Sequence, residues 1–187
     1  MSGRVADDNR QVVERIARGD RGALAELYTA YQVPLFRYLL GLTADRGVAE
    51  EILQDTLLAV WKSAGTFEGR SSVQTWLIGI ARRQAHNTLR KRALPRADLA
   101  ELELLPDRGP DPEDEVLARA ARDDLAEAIR RLAPVHREIL TLTFNQGLSY
   151  SEMARICGVP EGTIKSRLSN AKRALRALLI AAGEVGR

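Results

Sequence analysis

The chain has one cysteine, Cys157, and two histidines among its 187 residues. A lone thiol cannot close an intramolecular disulfide, which excludes a disulfide scaffold and fits a cytosolic setting. Placed on the inner side of a short helical run, Cys157 reads most simply as a small core hydrophobe, with a redox sensor as the alternative. Aromatic residues make up only 5% of the chain, which argues against a large β-sandwich core. No run approaches the roughly 18 apolar residues that a membrane span requires. The opening MSGRVADDNR lacks a signal-peptide core, so the expectation is a soluble cytoplasmic protein without membrane insertion. His86 and His136 have no carboxylate or thiol at metal-ligand spacing, and neither a C-x-x-C pair nor a phosphate-binding glycine loop occurs. No catalytic residue, metal or cofactor is therefore expected, and the chain reads as a non-enzyme.

What is abundant points to helices. Alanine, leucine, arginine and glutamate dominate, and 45% of residues are hydrophobic, enough for globular packing in an all-α fold. The net charge of +3 conceals a pattern. Residues 11–95 carry twelve Lys and Arg against eight Asp and Glu; residues 96–116 carry two against eight; residues 117–187 carry twelve against seven. Two basic blocks flanking an acidic one suggest two nucleic-acid-facing domains joined by a segment that nucleic acid avoids. The joining stretch, residues 95–116, holds Pro95, Pro106, Pro110 and Pro112 and no sustained apolar period, as a flexible linker would. About 20 extended residues reach roughly 65 Å. Residues 1–9 read as a disordered lead-in, and Pro34 predicts a kink or break near Val33 in the second helix.

The strongest local pattern lies between Leu148 and Arg176. Ser149 followed by Glu152 forms a capping box that starts a helix, and Gly158 can end it in a left-handed conformation. After Val159 and Pro160 a second helix carries Ile164, Leu168, Ala171, Leu175 and Leu178 on one stripe. Its other faces hold Lys165, Ser166, Arg167, Ser169, Asn170, Lys172 and Arg173, and from Gly162 to Gly183 there are five cations and no anion. A helix built only for stability would interleave Glu with its Lys and Arg. This arrangement predicts a helix-turn-helix whose second helix enters a DNA major groove, the plain alternative being a solvated basic face.

Two further surfaces stand out. Residues 49–65 form a helical run with Ile52, Leu53, Thr56, Leu57, Val60 and Trp61 at helical spacing and an acidic edge of Glu50, Glu51, Gln54 and Asp55, which by itself reads equally as a solvated face. The glycine- and serine-rich segment Thr66 to Ser72 then leads into a helix studded with Arg82, Arg83, Arg90, Lys91 and Arg92. Seven cations and no acid lie between Glu68 and Asp98, which suits a single-stranded nucleic acid. Trp76 reads either as a packed indole or as part of that surface.

The run from Leu132 to Leu175, with GLSYSEMA and GTIKSRL as its most specific parts, resembles the fourth domain of bacterial sigma factors of the extracytoplasmic-function (ECF) group. Residues 20–94 resemble sigma domain 2. The resemblance implies sigma domain 2 at residues 10–94 and sigma domain 4 at residues 117–187. It implies that Glu51, Gln54 and Asp55, helped by Leu58 and Trp61, dock on the clamp helices of the largest catalytic subunit of core RNA polymerase. Phe67, Glu68, Gly69, Arg70, Ser71 and Ser72 would form the loop that captures a base flipped from the minus-10 element. The following helix, with Trp76, Arg82, Arg83, Asn87 and Arg90, would help open the duplex. Lys165, Ser166, Arg167, Ser169 and Asn170 would read the minus-35 element while Lys172 and Arg173 approach phosphates. Asn87 stands where the family commonly has Asp, His86 where an aliphatic is usual, and Asn170 where a basic residue is frequent. The implied partners are core RNA polymerase, promoter DNA and an anti-sigma factor. The competing reading is a stand-alone helix-turn-helix DNA-binding regulator, which leaves the acidic edge and the first cationic block unexplained.

Overall fold

The computed structural model describes residues 2–92, 124–144 and 146–185, and every element in it is helical. The linker at residues 95–116 lies outside the described residues, as do Val116, Leu117 and Ala121, expected on the inner face of the next helix.

Helix α1 (Ser2–Ala17) is followed by Gly19, whose φ of +89° turns the chain. Asp20 then caps α2 (Arg21–Thr43) by accepting from the Ala23 amide at 3.1 Å, satisfying one of the orphan donors of the first turn. Arg15 reaches back to both Asp20 and Glu26, each at 2.9 Å. Asp45 repeats the device for α3 (Arg46–Ser63), accepting from Val48 at 2.9 Å. A short 3-10 turn (Ala64–Thr66) and a loop lead to α4 (Val73–Arg92). The Ser72 hydroxyl starts that helix by accepting from the Thr75 amide at 3.1 Å. Val12, Val13, Ile16, Tyr38, Leu39, Ile52, Val60, Leu77 and Ile78 form the core of this first unit.

The second unit begins with α5 (residues 124–131), followed by α6 (Pro134–Phe144), α7 (Tyr150–Cys157) and α8 (Glu161–Val185). Ile139, Leu142, Met153 and Ile164 are its most enclosed side chains, joined by Leu132, Leu168 and Ala171. Both halves of the capping box form, and Gly158 closes α7 at φ +66°, where its amide bonds back to the Ala154 carbonyl. A left-handed residue with a Cβ costs about 1–2 kcal/mol. Gly158→Ala should therefore lower the stability of the second unit by about that amount, measured as a drop in the urea midpoint with an unchanged slope.

Four expectations need correction. The first helix starts at Ser2, so the lead-in is not an unstructured tail; once Val12, Val13 and Ile16 anchor a helix, extending it adds one hydrogen bond per residue fixed. Of the kink or break expected at Pro34, the break does not occur: the second helix continues through the proline because Leu35, Tyr38 and Leu39 pack beyond it, and burial of that face outweighs one missing backbone bond. The sequence pattern of residues 135–146 gives Ile139, Leu140, Leu142 and Phe144 as core, yet Phe144 is 67% exposed at the end of α6, with the Lys172 ammonium 5.7 Å from its ring centre. The spacing of Leu125, Ile129 and Leu132 predicts one inner face for the helix they span, yet Leu125 is 40% exposed, and Ala128 is buried in that helix.

The two units pack against each other. Their buried side chains form one continuous cluster, with α6 on α2 and α7 on α4. At Gly41 a Cβ would stand 2.6 Å from the Thr141 hydroxyl, so glycine is what lets α2 and α6 approach at this point.

Candidate functional site

On α8 the buried stripe of Ile164, Leu168 and Ala171 turns the polar residues outward. Lys165, Ser166, Ser169, Asn170, Lys172 and Arg173 are exposed, and Arg167 is half-buried. Several of these groups are held in position. The Lys165 ammonium sits 5.6 Å from the centre of the Tyr150 ring, and the Ser166 hydroxyl donates to the Thr163 carbonyl at 3.0 Å. Arg173 donates to the Asn170 carbonyl oxygen at 2.9 Å, which leaves the Asn170 amide hydrogens pointing to solvent chemistry as donors.

On α3, Glu51, Gln54, Asp55 and Leu58 are exposed and Trp61 is half-buried. Leu58 is 59% exposed, unusual for a large aliphatic in a helix that buries Ile52, Leu53 and Val60. Glu51 is engaged with Arg92 across to α4 at 2.6 Å, whereas Asp55 makes no ion pair among the described residues. Two shallow grooves flank Gln54. One, about 530 Å³, lies between Tyr28, Val33 and Phe36 of α2 and Leu53 and Leu57 of α3; the other, about 550 Å³, is bounded by Leu24, Leu57, Leu58 and Trp61. The first groove also holds Gln32, Arg37, Arg46 and Glu50 and is mixed in character, while the second is mainly apolar; with the acidic and amide edge beside them they form a surface suited to another helix.

The loop between α3 and α4 is braced from beneath. Phe67 leans on Trp76 with ring centroids 4.9 Å apart and planes at 42°, so Trp76 is half-buried support for the loop. Gly69 takes φ +70°, and a Cβ there would meet the Arg10 guanidinium at 2.8 Å. Glu68 and Arg70 pair at the exposed tip, and the Ser71 hydroxyl donates to the Ser72 carbonyl. Below the loop a cleft of about 510 Å³ is lined by Ser71, Trp76, Arg82, Arg83 and Asn87, with Arg155 and Ile156 of α7 on its far wall. Arg90 borders a second cleft of about 540 Å³ that includes Asn87 and Arg137.

Four residues of the second unit reach this first-unit surface, and sequence spacing gave no sign of them. Glu138 of α6, nearly buried, accepts from Arg82 Nε at 2.7 Å and from the Tyr38 hydroxyl at 3.3 Å, and His86 Nε2 lies 3.5 Å away. Burial would lower the pKa of Arg82, but the hydrogen bond and charge of Glu138 outweigh it and hold the guanidinium above its ordinary value. Burial, reinforced by the Glu138 charge, lifts the Tyr38 phenol well above its usual range, so it remains a donor. Glu152 accepts from the Thr75 hydroxyl at 2.9 Å and from the Ser72 hydroxyl at 3.5 Å while also serving the α7 cap. Partial burial opposes its ionisation, yet bonds from Ser149, Thr75 and Ser72 keep its pKa below the ordinary value. Gln146 links Gln74 to the Pro34 carbonyl, and Arg155 donates to the Arg70 carbonyl at 3.1 Å. Burial, aided by Glu138, pushes the Cys157 thiol up, which disfavours the reactive thiolate.

Among the described residues no helix is long and apolar enough to cross a membrane. No group of three His, Cys, Asp or Glu side chains there could hold a metal ion. Fold and surfaces together define a two-unit helical DNA-binding protein with a helix-turn-helix in its second unit.

Comparison with known proteins narrows this class. Residues 27–94 match the model of sigma-70 region 2 and residues 122–175 that of sigma-70 region 4. The chain is 36% identical over 168 residues to the ECF RNA polymerase sigma factor SigC of Mycobacterium tuberculosis, covering 86% of this chain and 85% of that one. It is 34% identical over 173 residues to the ECF RNA polymerase sigma factor BldN of Streptomyces coelicolor; the match takes in 90% of this chain but spans 65% of the length of that relative. Among solved structures, the sigma factor RpoE of Bartonella quintana, crystallised with the anti-sigma factor NepR, superposes with a TM-score of 0.67 at 28% identity, over 82% of this chain and 96% of that one. The chain belongs to the extracytoplasmic-function sigma factors of the sigma-70 family, which places it among transcription initiation factors.

Proposed function

We propose that the chain binds core RNA polymerase, directs it to promoters by reading minus-35 and minus-10 elements, and promotes opening of the duplex. The observation that carries this is the coexistence in one chain of a basic recognition helix and an α3 edge where Gln54, Asp55 and Leu58 lie exposed beside two grooves, one of them mainly apolar. A stand-alone regulator needs only the first.

In this reading residues 10–94 form the unit that docks on polymerase and handles minus-10, residues 95–116 the linker, and residues 117–187 the unit that reads minus-35. Glu51, Gln54 and Asp55 supply the polar contacts to polymerase, with Leu58 and Trp61 as their apolar backing. Phe67 to Ser72 receive a base extruded from the minus-10 strand, and Arg82, Arg83, Asn87 and Arg90 follow its phosphates. Unstacking a base costs a few kcal/mol, which loop and phosphate contacts offset, so opening needs no nucleotide hydrolysis by this chain. Lys165, Ser166, Arg167, Ser169 and Asn170 face base edges, with Asn170 acting as a donor because Arg173 holds its carbonyl. Lys172 and Arg173 face phosphates. The factor works without catalytic residues or cofactor and acts in the cytoplasm, where the polymerase is. A protein of the anti-sigma class is its natural inhibitor, by likeness to the RpoE complex.

Initiation in vitro tests this directly. Core polymerase supplied with the purified chain and supercoiled DNA bearing candidate promoters should yield discrete transcripts that polymerase alone does not. DNA binding with no added transcript would favour the stand-alone regulator.

A further inference from the structure

The capture loop has a wall supplied by a helix far from it in sequence. Helix α1 packs on the short 3-10 turn that leads into the loop. It sets the Arg10 guanidinium against Gly69, with Nη1, Cζ and Nη2 at 2.8, 2.9 and 3.3 Å from the place a Cβ would take. We propose that Arg10 is a DNA-binding residue of the minus-10 site, its terminal nitrogens holding a phosphate of the extruded nucleotide. This rests on the assignment of residues 67–72 to base capture given above, and it adds α1 to that site.

Packing holds the side chain in this position. Val12, Val13 and Ile16 are buried and fix the face that α1 turns inward. Asn9 donates to the Tyr31 hydroxyl at 2.7 Å, which fastens the turn beside Arg10 to α2. Gly69 provides the seat on the loop side: its φ of +70° lies where residues with a Cβ are strained, and the missing Cβ leaves room for the guanidinium. Any larger residue at Gly69 would push Arg10 off the loop.

The forked end of that guanidinium is open to a ligand. Among the described residues Arg10 pairs with Glu14 alone, through Nε at 3.4 Å in a half-exposed contact that contributes little. Nη1 and Nη2 make no hydrogen bond there. Glu68 and Arg70 pair with each other at the exposed tip, so Arg10 supplies the cation that the loop itself lacks. Two guanidinium nitrogens in one plane match two oxygens of a phosphate. A base swung about its backbone into a pocket leaves its flanking phosphates at the rim, and the rim beside Gly69 is where Arg10 stands. Phosphate contacts set register and orientation without reading sequence. Arg10 therefore orients the strand from α1, whatever base the loop accepts.

The test uses the full chain bound to core polymerase and a dye-labelled single strand covering the minus-10 element of a promoter from which that complex initiates. Anisotropy titrations at several salt concentrations compare wild type, Arg10→Ala and Arg10→Lys. A series of strands, each with one neutral methylphosphonate linkage, locates the phosphate. Arg10→Ala should bind roughly tenfold more weakly, with the slope of log affinity against log salt lower by about 0.7. Arg10→Lys keeps the charge and should keep the slope, at intermediate affinity. One neutral linkage should weaken wild type and leave Arg10→Ala unaffected. Unchanged affinity and slope in Arg10→Ala would overturn the proposal. Weaker binding with the wild-type slope and the wild-type response to every neutral linkage would do so too, reducing Arg10 to a brace for the loop. A loss of affinity for core polymerase without DNA would assign Arg10 to polymerase instead. If the wild-type complex binds this strand no better than a scrambled one, the assignment of the loop to minus-10 fails, a result distinct from any difference between the variants.

Discussion

A chain carrying Glu51→Ala, Gln54→Ala and Asp55→Ala together should bind core RNA polymerase roughly 10² to 10³-fold more weakly than wild type, taking about 1 to 1.5 kcal/mol for each truncated contact at the centre of an interface. The fold should be unaffected, because all three side chains are exposed and the helix is held from its other side by Ile52, Leu53, Thr56 and Val60. Among the described residues the one internal interaction lost is the Glu51 pair with Arg92, which is half-exposed on both sides and contributes little to stability. Gln54 matters most in this set because it alone of the three lines both grooves; a partner helix seated there meets its amide at the centre. The check is a titration of labelled core polymerase without DNA, with a melting curve of the variant as control.

The second large effect concerns α8. Lys165→Ala and Arg167→Ala should each cost about 1–3 kcal/mol in discrimination at the minus-35 element. Affinity for core polymerase should stay at the wild-type level. Both residues lie on the first turns after Pro160, flanking the buried stripe of Ile164 and Leu168 on either side, with Lys165 exposed and Arg167 half-buried, where a helix entering a groove presents its N-terminal part to base edges. Lys172→Ala and Arg173→Ala should behave differently. They would weaken binding to all sequences about equally, each lowering the slope of log affinity against log salt by about one, as lost phosphate contacts do. Arg173→Ala has an added consequence, since it frees the Asn170 carbonyl and should broaden base preference at the position Asn170 faces. Electrophoretic mobility shifts at several salt concentrations, on matched and mismatched promoters, separate the two classes.

The contrast between what was legible and what was not follows from the range of the interactions. Capping at Ser149 and Glu152, the left-handed turn at Gly158 and the buried stripe of α8 depend on neighbours within a few residues, so spacing alone reveals them. The exposure of Leu58, Gln54 and Asp55 likewise follows from the period of the helix. Pro34 does not break its helix because local propensity is weak beside the packing of Tyr38 and Leu39, which residues distant in sequence supply. Phe144 misleads because it ends its helix, where its ring is exposed with the Lys172 ammonium of α8 over it. Glu138 and Gln146 were invisible for a further reason: their partners Arg82 and Pro34 lie 56 and 112 positions away, and nothing in a helical period distinguishes a carboxylate that pairs across two domains from one in water. His86 shows the same limit; it lacks a carboxylate at short spacing but has one 3.5 Å away in space.

Binding to polymerase separates this account from every alternative that explains the helix-turn-helix alone. The direct measurement is gel filtration of the purified chain with core RNA polymerase, free of DNA and of any inhibitor. The account predicts co-elution at equimolar stoichiometry, abolished by the α3 triple substitution and retained by Lys165→Ala. Separate elution of the two wild-type components, at concentrations where the chain alone shifts DNA, would contradict it.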